Sequence, residues 1–296
     1  MSTAEQVLSL FILMLAGLAL FKSKMLSHEA LQGLNKVLVN LALPCMTFMK
    51  LQTDSTPQLV ADLGLIFVYS TLVMLLSCLA GCLIFKKQSD ARKAVFVSLT
   101  TFSNAGFMGY PVIAAALGAD AVIYAVAYVT AFNFLLWTLG TWIYQKGQPF
   151  KLSTLLNPSL LAVILGMVFF LTGWRVPHFL GSAMNYLGDT TTPLSMLIVG
   201  ARLASLNRES LKDPWLLLAS ILRLIALPAA LLGILHLIPC PHMVRTILFL
   251  CCAMPSGAMC AVQAELYNGD SPLASRGVAL STALSMFSIP VMLLLI

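Results

Sequence analysis

Charge is what this sequence has least of. Only 9% of its 296 residues are Asp, Glu, Lys or Arg, against 59% hydrophobic, and the mean hydropathy is +0.93. A soluble domain carries about 25% charged residues. A water-soluble globule is therefore excluded, and an all-α polytopic membrane protein is expected. No CxxC pair occurs. Cys45, Cys78, Cys82, Cys251, Cys252 and Cys260 sit in apolar runs, and only Cys240 falls in a loop. Neither a disulfide framework nor a zinc site follows. His28, His178, His236 and His242 are scattered over span ends and loops, so no metal and no cofactor are expected. P-loop, metal-binding helix and nucleophile elbow are all missing, which leaves no enzyme motif. The apolar run after Glu5 lacks a basic leader and a small-residue cleavage site, so no removable signal segment is expected.

What is there is a series of apolar runs near the ~20 residues that cross a bilayer. Ten can be drawn: 5–21, 35–51, 58–85, 94–117, 121–144, 154–173, 179–204, 214–237, 243–264 and 275–296. Lys and Arg segregate between alternate connections. One side holds 13 (among them Lys22, Lys36, Lys86, Lys87, Arg92, Lys146, Arg202 and Arg276), and the other holds Lys50, Arg175 and Arg245. The positive-inside rule makes the first side cytoplasmic and puts both termini outside. The net charge of +6 is thereby a matter of topology, and a nucleic-acid partner is not expected.

The two halves, 1–150 and 151–296, echo each other. Gly17 and Gly166 are 149 residues apart, as are Pro44 and Pro193, while Gly106 and Gly257 are 151 apart. AVAYVTAF at 125–132 answers GVALSTAL at 277–284. Five spans is an odd number, so the second copy is expected upside down, an inverted repeat of the kind found in secondary transporters. The fourth span carries TTFSNAGFMGYPV, where Gly106 and Gly109 loosen the backbone and the ring of Pro111 presses on the carbonyl of Phe107. Its counterpart, the ninth, carries AMPSG with Pro255, Ser256 and Gly257. Two interrupted spans at matching places of two halves point to a midplane transport site.

At this point the sequence resembles the auxin efflux carrier family, which includes bacterial dicarboxylate permeases and plant auxin carriers. The resemblance rests on LNKVLVNLALP at 34–44, SNAGFMGYPV at 103–112 and TTPLSMLIVGARL at 191–203. LRLIALP at 222–228, AMPSGAMCAV at 253–262 and GVALSTALSMFSIP at 277–290 add to it. It implies a scaffold of spans 1, 2, 6 and 7 and a moving core of spans 3–5 and 8–10. Spans 4 and 9 would cross at their breaks with substrate at the crossing, and the scaffold would pair two copies into a homodimer. Only QKGQPFKLS joins the halves here, in place of the long central loop of some plant members, so the plant hormone itself is not the expected cargo.

Residue by residue, broken helices supply free N–H groups and positive dipole ends that attract anions. Asn104 and Ser256 could each add a directed hydrogen bond to a carboxylate, or instead satisfy freed helix carbonyls such as those of Phe107 and Cys251. Arg223, about nine residues into the eighth span, is a functional candidate by depth. It could bind a second carboxylate, pair with Asp189, or bond helix-end carbonyls. Asp189, in YLGDTTTP, is expected to be buried, where a raised pKa would let it carry a coupling proton. Thr191 beside it could ligate Na⁺ or cap the helix. Asp62 and Glu265 are expected to be solvated, and Gln263 to face the core. The expected substrate-binding set is thus Asn104, Gly106, Gly109, Pro111, Pro255, Ser256, Gly257 and Arg223, with Asp189 and Thr191 for the coupling ion. The expected function is a permease for a small organic anion in the cell inner membrane. A passive anion channel is the alternative, and an intramembrane aspartyl protease using Asp189 and Asp270 a distant one.

Overall fold

The computed structural model describes residues 3–145, 157–206 and 208–295. Apart from Gln145, the QKGQPFKLS link lies outside them. The described residues are helical almost throughout. The first half holds α1 (Thr3–Lys22), α2 (His28–Val37), α3 (Leu43–Lys50), α4 (Pro57–Ile84), α5 (Asp90–Thr101), α6 (Tyr110–Leu117), α7 (Val122–Leu135) and α8 (Thr141–Tyr144). The second holds α9 (Pro158–Thr172), α10 (His178–Asp189), α11 (Thr191–Arg202), α12 (Arg208–Lys212), α13 (Pro214–Ile221), α14 (Leu227–Leu237), α15 (His242–Ala253), α16 (Met259–Leu266) and α17 (Ser271–Leu293). Four π-turns, Leu38–Ala42, Ala105–Gly109, Leu136–Gly140 and Leu222–Ala226, lie within or between these helices.

The long helices start where local chemistry favours a start. Pro57, Pro158, Pro214 and Pro272 fall in first turns, where a missing N–H costs nothing. Thr56, Asn157, Asp213 and Asp270 precede them and accept main-chain N–H groups of the first turn. Five continuous stretches are long and apolar enough to cross a bilayer: Glu5–Lys22, Pro57–Ile84, Ala119–Tyr144, Pro214–Leu237 and Ser271–Leu293. Ala105–Leu117, Pro158–Thr172 and His242–Ala253 are apolar but shorter. The chain is a polytopic helical membrane protein.

Glycine sets how closely the helices approach. α1 lies along α11. A Cβ on Gly17 would run into the Leu197 carbonyl, and one on Gly200 into that of Met14. Without a hydrophobic drive between helices in lipid, such small-residue contacts carry the packing. α3 packs on α9 and α10, and Gly188 leaves no room for a side chain against the Met46 backbone, 3.1 Å from an added Cβ. α4 packs on α5 and α7, while α15 meets α4, α7 and α14. The buried interior runs through α5, the chain after it, and α15, where every residue from Ile247 to Met254 is buried. At the helix starts, Arg92 bonds Asp213 at 2.7 Å. Burial alone would raise the Asp213 carboxyl, but the Arg92 bond and the N–H groups of Trp215 and Leu216 outweigh it and hold its pKa below the usual carboxylate range.

Candidate functional site

Two helices stop inside the protein and start again. α5 ends at Thr101, and helix resumes at Ala105. α15 ends at Ala253, and helix resumes at Met259. The two gaps run antiparallel past each other, with Ser103 bridged to Ser256. The Asn104 N–H donates to the Pro255 carbonyl at 2.7 Å, and the Gly257 N–H to that of Phe102 at 2.8 Å. Gly257 suits this close approach, since a Cβ would lie a tight 3.3 Å from the Ser103 oxygen. The first break lies upstream of the expected place. Pro111 does not open it: helix has already resumed at Ala105, and Pro111 follows directly on the π-turn Ala105–Gly109 as the second residue of α6.

A crossing of this kind exposes two C-terminal and two N-terminal helix ends. At the C-terminal end of α5 every final carbonyl has a donor. Ser98 takes the Phe102 N–H at 3.0 Å. Leu99 takes the Ser256 hydroxyl at 2.8 Å. Thr100 and Thr101 take Arg223 Nη1 at 2.9 and 3.3 Å. Phe102 takes Gly257. Arg223 Nη2 reaches the end of α15, donating to the Cys252 carbonyl and lying 3.2 Å from its Sγ. The guanidinium thus joins the two negative helix ends. It is 1% exposed and, among the described residues, pairs with no carboxylate.

The N-terminal ends are the opposite. Among the described residues, the main-chain N–H groups of Ala105, Gly106 and Phe107 have no acceptor, and nor do those of Ala258 and Met259. All of these residues but Ala105, which is fully buried, line a cavity of about 200 Å³. Asn104 also lines it, 5% exposed, with a side-chain amide that makes no hydrogen bond to any described residue. The wall is completed by Thr47 of α3, Tyr110 of α6, Asn133 of α7, Trp137 of a π-turn, and Asn157 before α9. No charged side chain lines this cavity. A Cβ on Gly106 would meet nothing nearer than Val129 Cγ1 at 4.0 Å, so the glycine keeps the space open rather than the backbone bent.

Of the expected binding residues, Asn104, Gly106 and Gly257 line the cavity. Gly109, Pro111, Pro255 and Ser256 do not. The Ser256 hydroxyl is committed to Leu99 and its N–H to Ser281 Oγ at 3.1 Å, so the crossing itself consumes its hydrogen bonds. Arg223 also stands off the cavity, and the pairing with Asp189 does not form. Asp189 is exposed at the end of α10, which removes the argument from burial. Thr191 is fully buried, and its hydroxyl has no partner. Asp62, expected in solvent, is 5% exposed and accepts from Gln58 at 2.8 Å. Gln263 faces the core as expected, donating to the π-turn carbonyl of Leu136 where Gly140 leaves it room. Thr47, Asn133 and Asn157 were missed: each is a single polar residue in an apolar run or at a helix start. A second cavity of about 730 Å³ lies between α2 and the ends of α11, α16 and α17, with His28, Gln32, Lys36, Arg202 and Glu265 on its walls.

The molecule is thus a polytopic apolar chain whose interrupted, crossed helices border a mostly apolar, uncharged cavity with a few polar groups on its wall. Comparison with known proteins supplies the family. The model of the membrane transport protein family matches residues 2–153 and 146–293, and the chain belongs to this family, the auxin efflux carrier type. It is similar to an uncharacterized transporter of Methanothermobacter thermautotrophicus, 29% identical over 98% of this chain and 97% of the relative. A second, from Methanocaldococcus jannaschii, is 28% identical over 96% of each. The transporter YfdV of Escherichia coli is 23% identical over 76% of each.

Proposed function

We propose that this chain is a secondary transporter for a small organic anion, a mono- or dicarboxylate of malate or malonate size, held at the crossing and moved by alternating access. One observation carries the reading: four residues at two helix starts, Gly106, Phe107, Ala258 and Met259, line one cavity, and their main-chain N–H groups have no acceptor among the described residues. An unpaired buried donor costs about 1–3 kcal/mol, and helix starts hold anions without basic side chains. The amide of Asn104 would give the bound carboxylate its direction.

In this reading the ten spans are two inverted five-helix units, 1–150 and 151–296. α5 with α6 makes the fourth span, and α15 with α16 the ninth. Spans 1, 2, 6 and 7 form the scaffold; spans 3–5 and 8–10 move. The Lys- and Arg-rich side is cytoplasmic, and the protein sits in the inner membrane with both termini outside. Asn157 on the wall of the first cavity and Lys36 and Arg202 on that of the second belong to the side read as cytoplasmic, which supports reading the arrangement as inward-facing. The coupling ion is H⁺ or Na⁺: the buried, unpartnered Thr191 hydroxyl could help ligate Na⁺, while a coupling proton would need the Asp189 carboxylate.

Uptake of labelled malate, malonate and an indole acid into proteoliposomes, with and without a proton or sodium gradient, tests the proposal. Saturable uptake of at least one carboxylate that responds to one gradient is expected. Flux linear in concentration would make the protein a channel. No flux of any carboxylate would remove the anion from the reading.

A further inference from the structure

Arg223 hydrogen-bonds both interrupted helices at their C-terminal ends, yet it does not line the cavity. A helix end carries roughly half an elementary charge, negative at the C-terminus and positive at the N-terminus. The ends of α5 and α15 therefore bring about one negative charge into the middle of the molecule. The helix starts at Ala105 and Met259 bring about one positive charge beside it. Left alone, the crossing would be close to neutral overall, and a cavity on its positive side would prefer anions only weakly. The guanidinium, lying on the carbonyls of Thr100, Thr101 and Cys252, cancels the negative pair and leaves the positive pair uncompensated.

We propose that Arg223 sets the charge preference of the cavity from behind, as a positioning residue that never contacts the transported species. This deepens the transporter reading and rests on it for the identity of the cargo, but its own content is a local electrostatic one. The planar fork matters because it spans acceptors on two chains at once. The formal charge matters more, because cancellation at a distance needs charge and not shape. Three carbonyls and a thiol compensate it where a carboxylate would undo the effect.

Trp137 lines the cavity and gives a built-in reporter. The chain has four tryptophans, and Trp142, Trp174 and Trp215 would be replaced by Phe to isolate it. Quenching of its fluorescence by iodide, caesium and neutral acrylamide would then be compared in an uncharged detergent. In the protein with Arg223 intact, iodide is expected to quench far better than caesium. Arg223→Met is expected to lower the iodide constant by about tenfold, the scale of one elementary charge at protein dielectric, with acrylamide quenching unchanged. Arg223→Lys, which keeps the charge, should restore most of the iodide effect. A merely structural role would move acrylamide and iodide together. Equal quenching by iodide and caesium with Arg223 present would overturn the proposal, even if Arg223→Met failed to fold. So would an unchanged iodide constant in a folded Arg223→Met protein. Carboxylate uptake is read separately: an iodide preference without uptake leaves this proposal standing and removes the cargo.

Discussion

The two kinds of helix end at the crossing are made of the same main chain, a few residues apart, and are treated in opposite ways. The C-terminal end of α5 is sealed, with each final carbonyl taken by a side chain or by the partner gap. The N-terminal ends are left open: their N–H groups have no acceptor among the described residues, and the residues that carry them, Ala105 apart, line a cavity. The sealed side explains how a membrane protein tolerates two broken helices, since unsatisfied main chain in hydrocarbon costs several kcal/mol. The open side explains what the break is for. The difference teaches that satisfaction of polar groups, rather than the presence of proline or glycine, separates the structural part of the break from the working part.

Substitutions on the two sides should therefore behave differently. The largest effect is expected on the open side. Asn104→Ala should reduce carboxylate uptake by about a hundredfold, the scale of a directed hydrogen bond to a charged group, while the melting temperature in detergent stays put. Next, Gly257→Val pushes a side chain against the Ser103 and Phe102 carbonyls and should cost about 1–3 kcal/mol as overpacking. It should appear as a lower melting temperature together with lost uptake. On the sealed side, Ser256→Ala leaves the Leu99 carbonyl without its donor and should cost about 1 kcal/mol of stability. The KM for uptake should not change, and a changed KM would mean that the sealed side touches cargo after all.

Smaller effects mark the edges of the comparison. Because the Asp213 pKa is depressed in the folded protein, its bond to Arg92 stabilises at and above the ordinary carboxylate range. That contribution is lost as pH falls through the depressed value. A melting series below about pH 4 should show a drop, worth under about 1 kcal/mol, that Arg92→Met reduces but does not abolish, because the Trp215 and Leu216 N–H groups remain. Asp189→Asn should leave the pH dependence of uptake unchanged, because the carboxyl lines neither cavity. A shift would return Asp189 to the coupling path.

Much of this layout was legible in the chain. SNAG and PSG at matching places announced two breaks, and low charge with segregated Lys and Arg announced a multi-pass protein. The position of the first break was not legible, because Pro111 reads as a breaker in isolation but fits once helix begins again at Ala105. The partners of Arg223 and Ser256 were hidden for another reason. Main-chain carbonyls have no sequence signature, so a side chain that seals a helix end looks the same as one that binds cargo. The far wall of the cavity was hidden too: Thr47, Asn133 and Asn157 come from three distant stretches and share no motif.

The account stands on an anion occupying the open side of the crossing. Its most direct test is a protein in which Asn104→Cys provides the only reactive thiol, treated with a negatively charged methanethiosulfonate in proteoliposomes. Because Asn104→Cys itself removes the directing amide, the same thiol is also placed at Val129→Cys, on the cavity wall with Asn104 intact; there the account predicts modification from the Lys- and Arg-rich side, slowed several-fold by malonate or malate and not by the neutral malonamide. Modification at an equal rate with and without every carboxylate tested would contradict it.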